Sequence, residues 1–185
     1  LIMVSMTGAD LFTSDCAAFT FGLLGRNCNW GTFTKFLILS FLLNFIGAQL
    51  VAFVLTWNVG LLSHNPWQDY LHHYAEAKIN QSFITVLIKG IGANWLVCMG
   101  MFMGYAAKDI AGKAIGIWIP VMLFVTLGYE HSIANMFFIP SAIYSGADIT
   151  WSAFLLQNLL PATIGNFIGG AFLVGCVYWF LYLKE

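Results

Sequence analysis

The sequence predicts an all-α membrane protein that crosses the bilayer several times. Hydrophobic residues make up 60% of the chain and charged residues only 8%, whereas a soluble domain carries roughly 25% charged residues. Three long runs, 36–57, 83–107 and 154–183, contain a single charge among them. Each reaches the roughly 20 apolar residues that a helix needs to cross a bilayer. The whole chain, 1–185, is therefore interpreted as one transmembrane domain.

The basic residues predict the orientation of the chain in the membrane. Lysine and arginine occur in the connection 25–35, in the connection 108–113 and at Lys184, whereas the connection 58–80 is mixed in charge. Connections rich in lysine and arginine tend to be cytoplasmic. We therefore expect a multi-pass protein of the cell membrane with a cytoplasmic C-terminus and with 58–80 outside.

Two pairs of similar segments indicate an internal repeat. The stretch TGADLFTSD at 7–15 resembles LGYEHSIAN at 127–135, because in both a glycine stands two places before an acidic residue. The stretch LNFIGA at 43–48 resembles GNFIGG at 165–170. The first pair is separated by 120 residues and the second by 122. Two matches at nearly the same separation favour a duplicated unit.

The number of spans between the two copies predicts that they are inverted. An odd number of crossings separates equivalent points, and inverted repeats are typical of transporters and channels whose path lies at the repeat interface. The first repeat would occupy 1–57 and the second 83–183. Because the second copy has a full span before its broken helix, we also expect the natural protein to carry one more helix, and the start of the next, before Leu1.

The first matched pair predicts two broken helices. Both segments combine a glycine with residues that favour turns and helix N-termini, and a helix in the membrane is interrupted only where it is buried in protein or lines a cavity. The N-terminus of a helix carries partial positive charge. Two half-helices that begin near the middle of the membrane therefore suit an anion.

The second break contains two ionisable residues, Glu130 and His131, within uncharged sequence. Ionisable residues inside the membrane are costly and usually functional, and an imidazole exchanges a proton near neutral pH. The alternative is a structural role in which the imidazole binds loop backbone. On sequence alone Lys78 is interpreted as an ordinary interfacial lysine. The four cysteines lack the spacing of a metal site, and we expect no metal, no other cofactor and no nucleic-acid partner.

Several segments together resemble the formate/nitrite transporter family, in the family's order and over almost the entire chain. The resemblance implies an aquaporin-like bundle of six transmembrane segments, with the second and fifth broken, assembled as a homopentamer with one pore per subunit. The segments that carry it are GYEHSIANMFFIP (128–140), ADLFTSD (9–15), AKINQSF (77–83) with GANWLVCMG (92–100), and LLPATIGNFIGGAFLVG (159–175).

The resemblance also assigns residues to the centre of the pore. His131 matches the central pore histidine. Leu11, Phe12 and Thr13 match the loop that interrupts the second segment, in which the threonine faces that histidine. The resemblance therefore implies that residues from both breaks meet on the substrate pathway.

Further residues are assigned by the resemblance to the surroundings of this centre. Glu130 and Asn135 match the polar residues around the histidine. Lys78 matches a lysine that adds positive potential near the pore, which replaces its interpretation as an interfacial lysine. Leu1 and Phe124 match apolar residues of the inner and outer constrictions.

The predicted function is a channel or transporter for small monovalent anions, with formate as the first choice. Because an apolar constriction opposes a bare anion, we expect a proton supplied at or near His131 to let formate cross as the neutral acid. Nitrite, hydrosulfide, acetate and lactate are alternative substrates. A neutral-solute channel is less favoured because the breaks lack an NPA-like signature, and a membrane enzyme because no further catalytic residues converge.

Overall fold

The computed structural model describes residues 1–182 and 184, and these residues form eight helices joined by mostly short connections. The helices span Ile2–Thr7 (α1), Phe12–Leu24 (α2), Trp30–Trp57 (α3), Trp67–Ile79 (α4), Phe83–Ala106 (α5), Ile110–Thr126 (α6), Ser132–Tyr144 (α7) and Trp151–Tyr182 (α8).

Helices α3, α5 and α8 are each long and apolar enough to cross a membrane. Helices α2, α6 and α7 are also apolar but shorter, as expected for helices that stop or start inside the bilayer. The described part of the chain is thus a helical membrane bundle, which confirms the predicted fold class.

Polar side chains fix the first residue of several helices. Asn29 accepts a hydrogen bond from the third residue of α3, and Ser82, Asp109 and Thr150 do the same for α5, α6 and α8. Such caps satisfy backbone N–H groups that have no partner within the helix. Helix α2 differs, because its N-cap residue Leu11 has no side-chain acceptor.

The two helix breaks have the same backbone conformation at equivalent positions. Gly8 follows α1 with φ 73°, and Gly128 follows α6 with φ 63°, a region in which glycine is favoured. Leu11 precedes α2 and His131 precedes α7, both with extended backbone. Helices α2 and α7 each have 13 residues. Residues 120 positions apart therefore occupy matching places in the two breaks.

A π-helical turn accounts for one of the two residues by which the separation of the second matched pair exceeds that of the first. The N-cap residues of α3 and α8 are 121 positions apart. The segment Phe154–Leu159 of α8 is π-helical, and a π-helical turn inserts one extra residue. Helix α3 also has a π-helical segment, Val51–Trp57, but this segment comes after Asn44 and does not change its position. Asn44 and Asn166 consequently match at a separation of 122.

Helix α5 packs closely against α8 and α6. At Gly165 and Gly169 of α8 the two backbones approach so closely that an added Cβ would lie 2.2 Å from the carbonyl oxygens of Leu87 and Ile91. This contact holds polar residues of α5 and α8 at the level of the two breaks.

Candidate functional site

The side chains of Thr13 and His131 meet where the two breaks approach each other. Thr13 Oγ1 lies 3.1 Å from His131 Nε2, and both residues are buried. Thr13 is the second residue of α2 and His131 is the N-cap of α7. The contact therefore joins residues that are 118 positions apart in the chain.

The hydrogen bonds of the imidazole define where its proton lies. The backbone N–H of Ala134 donates to His131 Nδ1 at 3.1 Å. Because a backbone N–H only donates, Nδ1 is the acceptor, and the proton of the neutral ring is on Nε2. The Nε2–H then donates to Thr13 Oγ1. The hydroxyl proton of Thr13 is left available to another acceptor, such as an anion.

Glu130 is fully buried and its carboxylate is surrounded by donors. Lys78 Nζ and Gln81 Nε2 each donate to it at 2.9 Å. The side-chain amides of Asn135 and Asn158 donate at 2.6 Å and 3.1 Å. A buried carboxylate needs this degree of pairing, because an unpaired buried charge is strongly destabilising. Glu130 and Asn135 thus form a network beside the histidine and are not in direct hydrogen-bond contact with it.

Lys78 lies at the junction of this network and a cavity. Its side chain is buried, forms the ion pair with Glu130 and lies 5.0 Å from the ring centre of Tyr74. The charges of lysine and glutamate cancel when viewed from a distance. The positive potential that the resemblance implies for Lys78 is therefore balanced within the same network.

A cavity of about 410 Å³ opens on the side of the connection 58–80, and we call it the outer cavity. His131, Lys78, Asn135 and Phe124 contribute to its walls. The ring of Phe124 stacks on the imidazole, with centroids 5.6 Å apart and planes 19° apart. The cavity thus gives a small solute access to the histidine past an aromatic surface.

A second cavity, which we call the inner cavity, has a volume of about 200 Å³ and lies along α2 and the C-terminal half of α5. Ser14, the residue after Thr13, contributes to its wall together with Cys98 and Phe102. His131 thus lines the outer cavity and Ser14, the residue after Thr13, lines the inner one.

The two predicted constriction residues lie near one apolar cluster. Phe124 packs with Ala93 and Val97 of α5, and Leu1 packs against the same cluster. The structure therefore brings Leu1 and Phe124 together around α5 near the histidine. Val97 was not singled out from the sequence, because an apolar residue in an apolar helix gives no signal.

Of the other two predicted residues of the first break, Phe12 turns away from the Thr13–His131 contact. The Phe12 ring turns to α3, where it meets Phe41 edge-to-face at 5.2 Å and joins a cluster with Leu37. Leu11 is buried, and its carbonyl oxygen accepts a hydrogen bond from the Ser14 hydroxyl. The structure thus brings Thr13, but not Phe12, to the histidine.

Buried asparagines contribute to the site without having been assigned to it from the sequence. Asn94 of α5 donates to the carbonyl oxygen of Thr13 at 2.9 Å and to that of Asn166 at 2.6 Å. Asn158 donates to Glu130. The available signal was an amide inside an apolar span, where polar side chains are costly. Among the described residues, no group of histidine, cysteine and acidic side chains could hold a metal ion.

Comparison of the sequence with known proteins gives a consistent set of relatives. Residues 1–180 match the family described as formate/nitrite transporter. A probable formate transporter of Methanothermobacter thermautotrophicus is 39% identical, with 100% of this chain and 72% of that protein aligned. The uncharacterized transporter YrhG of Bacillus subtilis is 41% identical, with 100% and 69% aligned. The formate channel FocA of Escherichia coli K12 is 36% identical, with 100% and 71% aligned.

Solved structures with the same fold include two channels. One, described as an FNT family ion channel, superposes with a TM-score of 0.89 at 29% identity, over 95% of this chain and 70% of that chain. The other, described as a pentameric formate channel with formate bound, superposes with a TM-score of 0.85 at 27% identity, over 99% and 79%.

Proposed function

This chain belongs to the formate/nitrite transporter family, and we propose that it conducts formate across the membrane in a step linked to a proton. It is a multi-pass membrane protein of a family of anion channels and transporters, and it is not an enzyme. Formate is the first choice because relatives aligned over the entire chain are named as formate transporters or channels. The observation that carries the proposal is the Thr13–His131 hydrogen bond beside the outer cavity.

Attraction of the anion is proposed to come mainly from backbone. The N-termini of α2 and α7 meet at the Thr13–His131 contact, and each provides partial positive charge and N–H groups. The charge of Lys78 is balanced by Glu130, so its main contribution is to hold the carboxylate in place. A formate ion that moves from the outer cavity past His131 would accept a hydrogen bond from the free hydroxyl of Thr13.

Passage beyond this point is proposed to require a proton. An anion that loses its hydration in an apolar region faces a heavy free-energy cost, which the neutral acid largely avoids. In the proposed step, formate held by Thr13 takes up a proton that hydronium delivers through the outer cavity, and formic acid then passes the apolar side chains of Val97 and Leu1. The neutral imidazole donates to Thr13 and keeps the hydroxyl oriented toward formate, so protonation of formate at this position depends on His131. A low external pH therefore favours uptake.

The test uses proteoliposomes in which formate uptake and internal pH are recorded together over a series of external pH values. His131→Asn keeps a side-chain acceptor for the α7 N-terminus but removes the imidazole. His73→Asn is the matched control, because the His73 side chain is 83% exposed. We expect His131→Asn to lower uptake and flatten its pH dependence, and His73→Asn to leave both unchanged. A pH dependence that survives His131→Asn intact would refute the role of the histidine.

The same vesicles test the choice of substrate. Nitrite, hydrosulfide, acetate and lactate are offered in place of formate at equal concentration and pH. We expect formate to be taken up fastest. Faster uptake of another anion would replace formate as the substrate while leaving the family assignment in place.

We also propose that the chain assembles as a homopentamer with a cytoplasmic C-terminus. One relative of known structure is described as a pentameric formate channel. The exposure of Asp10 supports contact with a neighbouring subunit. Asp10 is exposed on the single subunit at the first break, where a carboxylate that faces lipid would be costly. The basic connections 25–35 and 108–113 support the orientation.

A further inference from the structure

Asn166 encloses the histidine from the backbone side. Its Oδ1 accepts a hydrogen bond from the N–H of Ser132 at 2.8 Å, and its Nδ2 donates to the carbonyl oxygen of Glu130 at 2.8 Å. These two groups flank His131 in the chain. One amide side chain thus fixes the backbone immediately before and immediately after the histidine.

Asn44 makes the same pair of hydrogen bonds at the first break. Its Oδ1 accepts from the N–H of Phe12 at 2.8 Å, and its Nδ2 donates to the carbonyl oxygen of Asp10 at 3.2 Å. The enclosed residue is Leu11. Asn44 and Asn166 belong to the matched stretches LNFIGA and GNFIGG, so the second sequence match provides the residues that hold the first.

We propose that Asn44 and Asn166 are matched positioning residues, each of which fixes the backbone on both sides of one enclosed residue and thereby sets the Thr13–His131 contact. A carboxamide suits this task because it has an acceptor and a donor in one plane, whereas aspartate lacks the donor and leucine lacks both. At the first break the need is marked, because α2 has no side-chain cap of its own and the N–H of Phe12 would otherwise lack a partner.

We call Asn44 and Asn166, with their paired hydrogen bonds, the two clamps, and a third amide side chain connects them. Asn94 donates both to the carbonyl oxygen of Thr13 and to that of Asn166. Asn44 holds the residue before Thr13, and Asn166 holds both neighbours of His131. The 3.1 Å contact between Thr13 and His131 is therefore set through hydrogen bonds to backbone from α3, α5 and α8.

The two clamps differ in their surroundings. Asn166 is fully buried and donates a third hydrogen bond, to the carbonyl oxygen of Gly90. Asn44 lies at a cavity between α2 and α3 that Asp10 and Asp15 also line. Removal of a buried partner costs more than removal of a half-exposed one. We therefore expect replacement of Asn166 to perturb the protein more than replacement of Asn44.

Hydrogen exchange of the intact protein in detergent tests the clamps without reference to transport. Asn44→Leu removes the acceptor for the N–H of Phe12, so exchange in a peptide covering 9–16 should rise about tenfold while a peptide covering 129–136 is unchanged. Asn166→Leu should give the reverse pattern. If Asn166→Leu fails to fold, Asn166→Asp replaces it, because the aspartate keeps the acceptor but not the donor.

Two further variants sharpen the exchange experiment. Ile38→Ala is the control, because Ile38 is 55% exposed on the same helix as Asn44, and neither peptide should change. Asn44→Asp keeps an acceptor for Phe12, so its exchange should lie between that of the parent and that of Asn44→Leu. Unchanged exchange in both peptides, or an increase throughout the protein in the Asn44 variants, would overturn the proposal.

The transport measurements on these variants rest on the proposed function. Asn44→Leu should shift the pH dependence of formate uptake in the same direction as Thr13→Val, and the double variant should show no further shift. A purely structural effect would instead scale uptake equally at every pH, and that result would contradict the positioning role. If the parent protein shows no proton-linked formate uptake, the proposed function fails. The exchange pattern still tests whether Asn44 and Asn166 fix the backbone of the two breaks.

Discussion

At the residue scale, His131 combines a structural and a functional hydrogen bond in one ring. Nδ1 caps α7 by accepting from Ala134, while Nε2 faces Thr13. The cap keeps the proton on Nε2, so the backbone determines which tautomer the pathway encounters. The structural alternative raised from the sequence is thus present, and the same ring also lines the outer cavity.

The hydroxyl of Thr13 gives the first prediction. Thr13→Val keeps the shape of the side chain but removes the donor proposed to bind formate, so uptake should fall about tenfold or more. Thr13→Ser should retain most of the uptake. Thr20→Val serves as the control on the same helix, because the Thr20 hydroxyl donates to the Cys16 carbonyl oxygen. Equal uptake by Thr13→Val and the parent in proteoliposomes would exclude the hydroxyl as the donor.

The ion pair of Lys78 and Glu130 gives the second prediction. Lys78→Met leaves a fully buried carboxylate uncompensated and should destabilise the protein by about 3–5 kcal/mol. The double variant with Glu130→Gln removes both charges and should recover most of this loss. Thermal unfolding in detergent measures both effects.

Transport by the double variant separates stability from attraction of the anion. If the lysine charge is balanced by Glu130, as the 2.9 Å contact indicates, the double variant should still conduct formate. Loss of formate uptake from a stable double variant would instead show that Lys78 itself attracts the anion.

The sequence identified some residues of the site and missed others for physical reasons. His131 and Glu130 stand out because ionisable side chains are costly in apolar spans. The asparagines Asn94 and Asn158 act through partners more than 20 positions away, and such pairing is visible only in three dimensions. The direction of Phe12 could not be predicted, because helical periodicity does not apply across a break.

At the element scale, the helices and their breaks were more predictable than their exact register. Nearly charge-free runs and the glycine–acid motif predict α3, α5, α8 and the two breaks. The π-helical turns are not predictable from apolar sequence, because one extra apolar residue leaves the composition of the helix unchanged. One such turn nevertheless sets the position of Asn166 relative to the second break.

The contact between α5 and α8 gives a prediction for whole helices. Gly165→Ala would place a Cβ 2.2 Å from the Leu87 carbonyl oxygen, so the helices must separate, at a cost of about 1–3 kcal/mol. Gly47→Ala in α3 is the control, because nothing lies within 4 Å of its added Cβ. We expect a lower unfolding temperature for Gly165→Ala alone. Similar unfolding temperatures for both variants would show that α5 and α8 can move apart without a loss of stability.

At the scale of the whole molecule, the surface of the subunit combines two kinds of residue. Large apolar side chains such as Leu43 and Ile46 are exposed along α3, as a lipid or subunit contact requires. Asp10 and Asn44 lie on the same side at the first break. Lipid would leave the carboxylate of Asp10 unpaired, so this face is where we expect a neighbouring subunit.

Native mass spectrometry from detergent tests the assembly. The proposed homopentamer should appear at five times the subunit mass. Asp10→Ala should not abolish it, because apolar contacts supply most of a permanent interface. A monomer at all detergent concentrations would contradict the proposal.

The matching of Leu11 with His131 has a consequence for the direction of flow. The two residues occupy equivalent backbone positions in the two breaks, yet one is aliphatic and the other is an imidazole. Ser14 and Asp15 line the inner cavity, whereas His131 and Lys78 line the outer one, so a solute arriving from the inner cavity meets different chemistry from one arriving from the outer cavity. Conduction through each subunit should rectify: initial formate rates under equal inward and outward gradients, with pH equal on both sides, should differ in size.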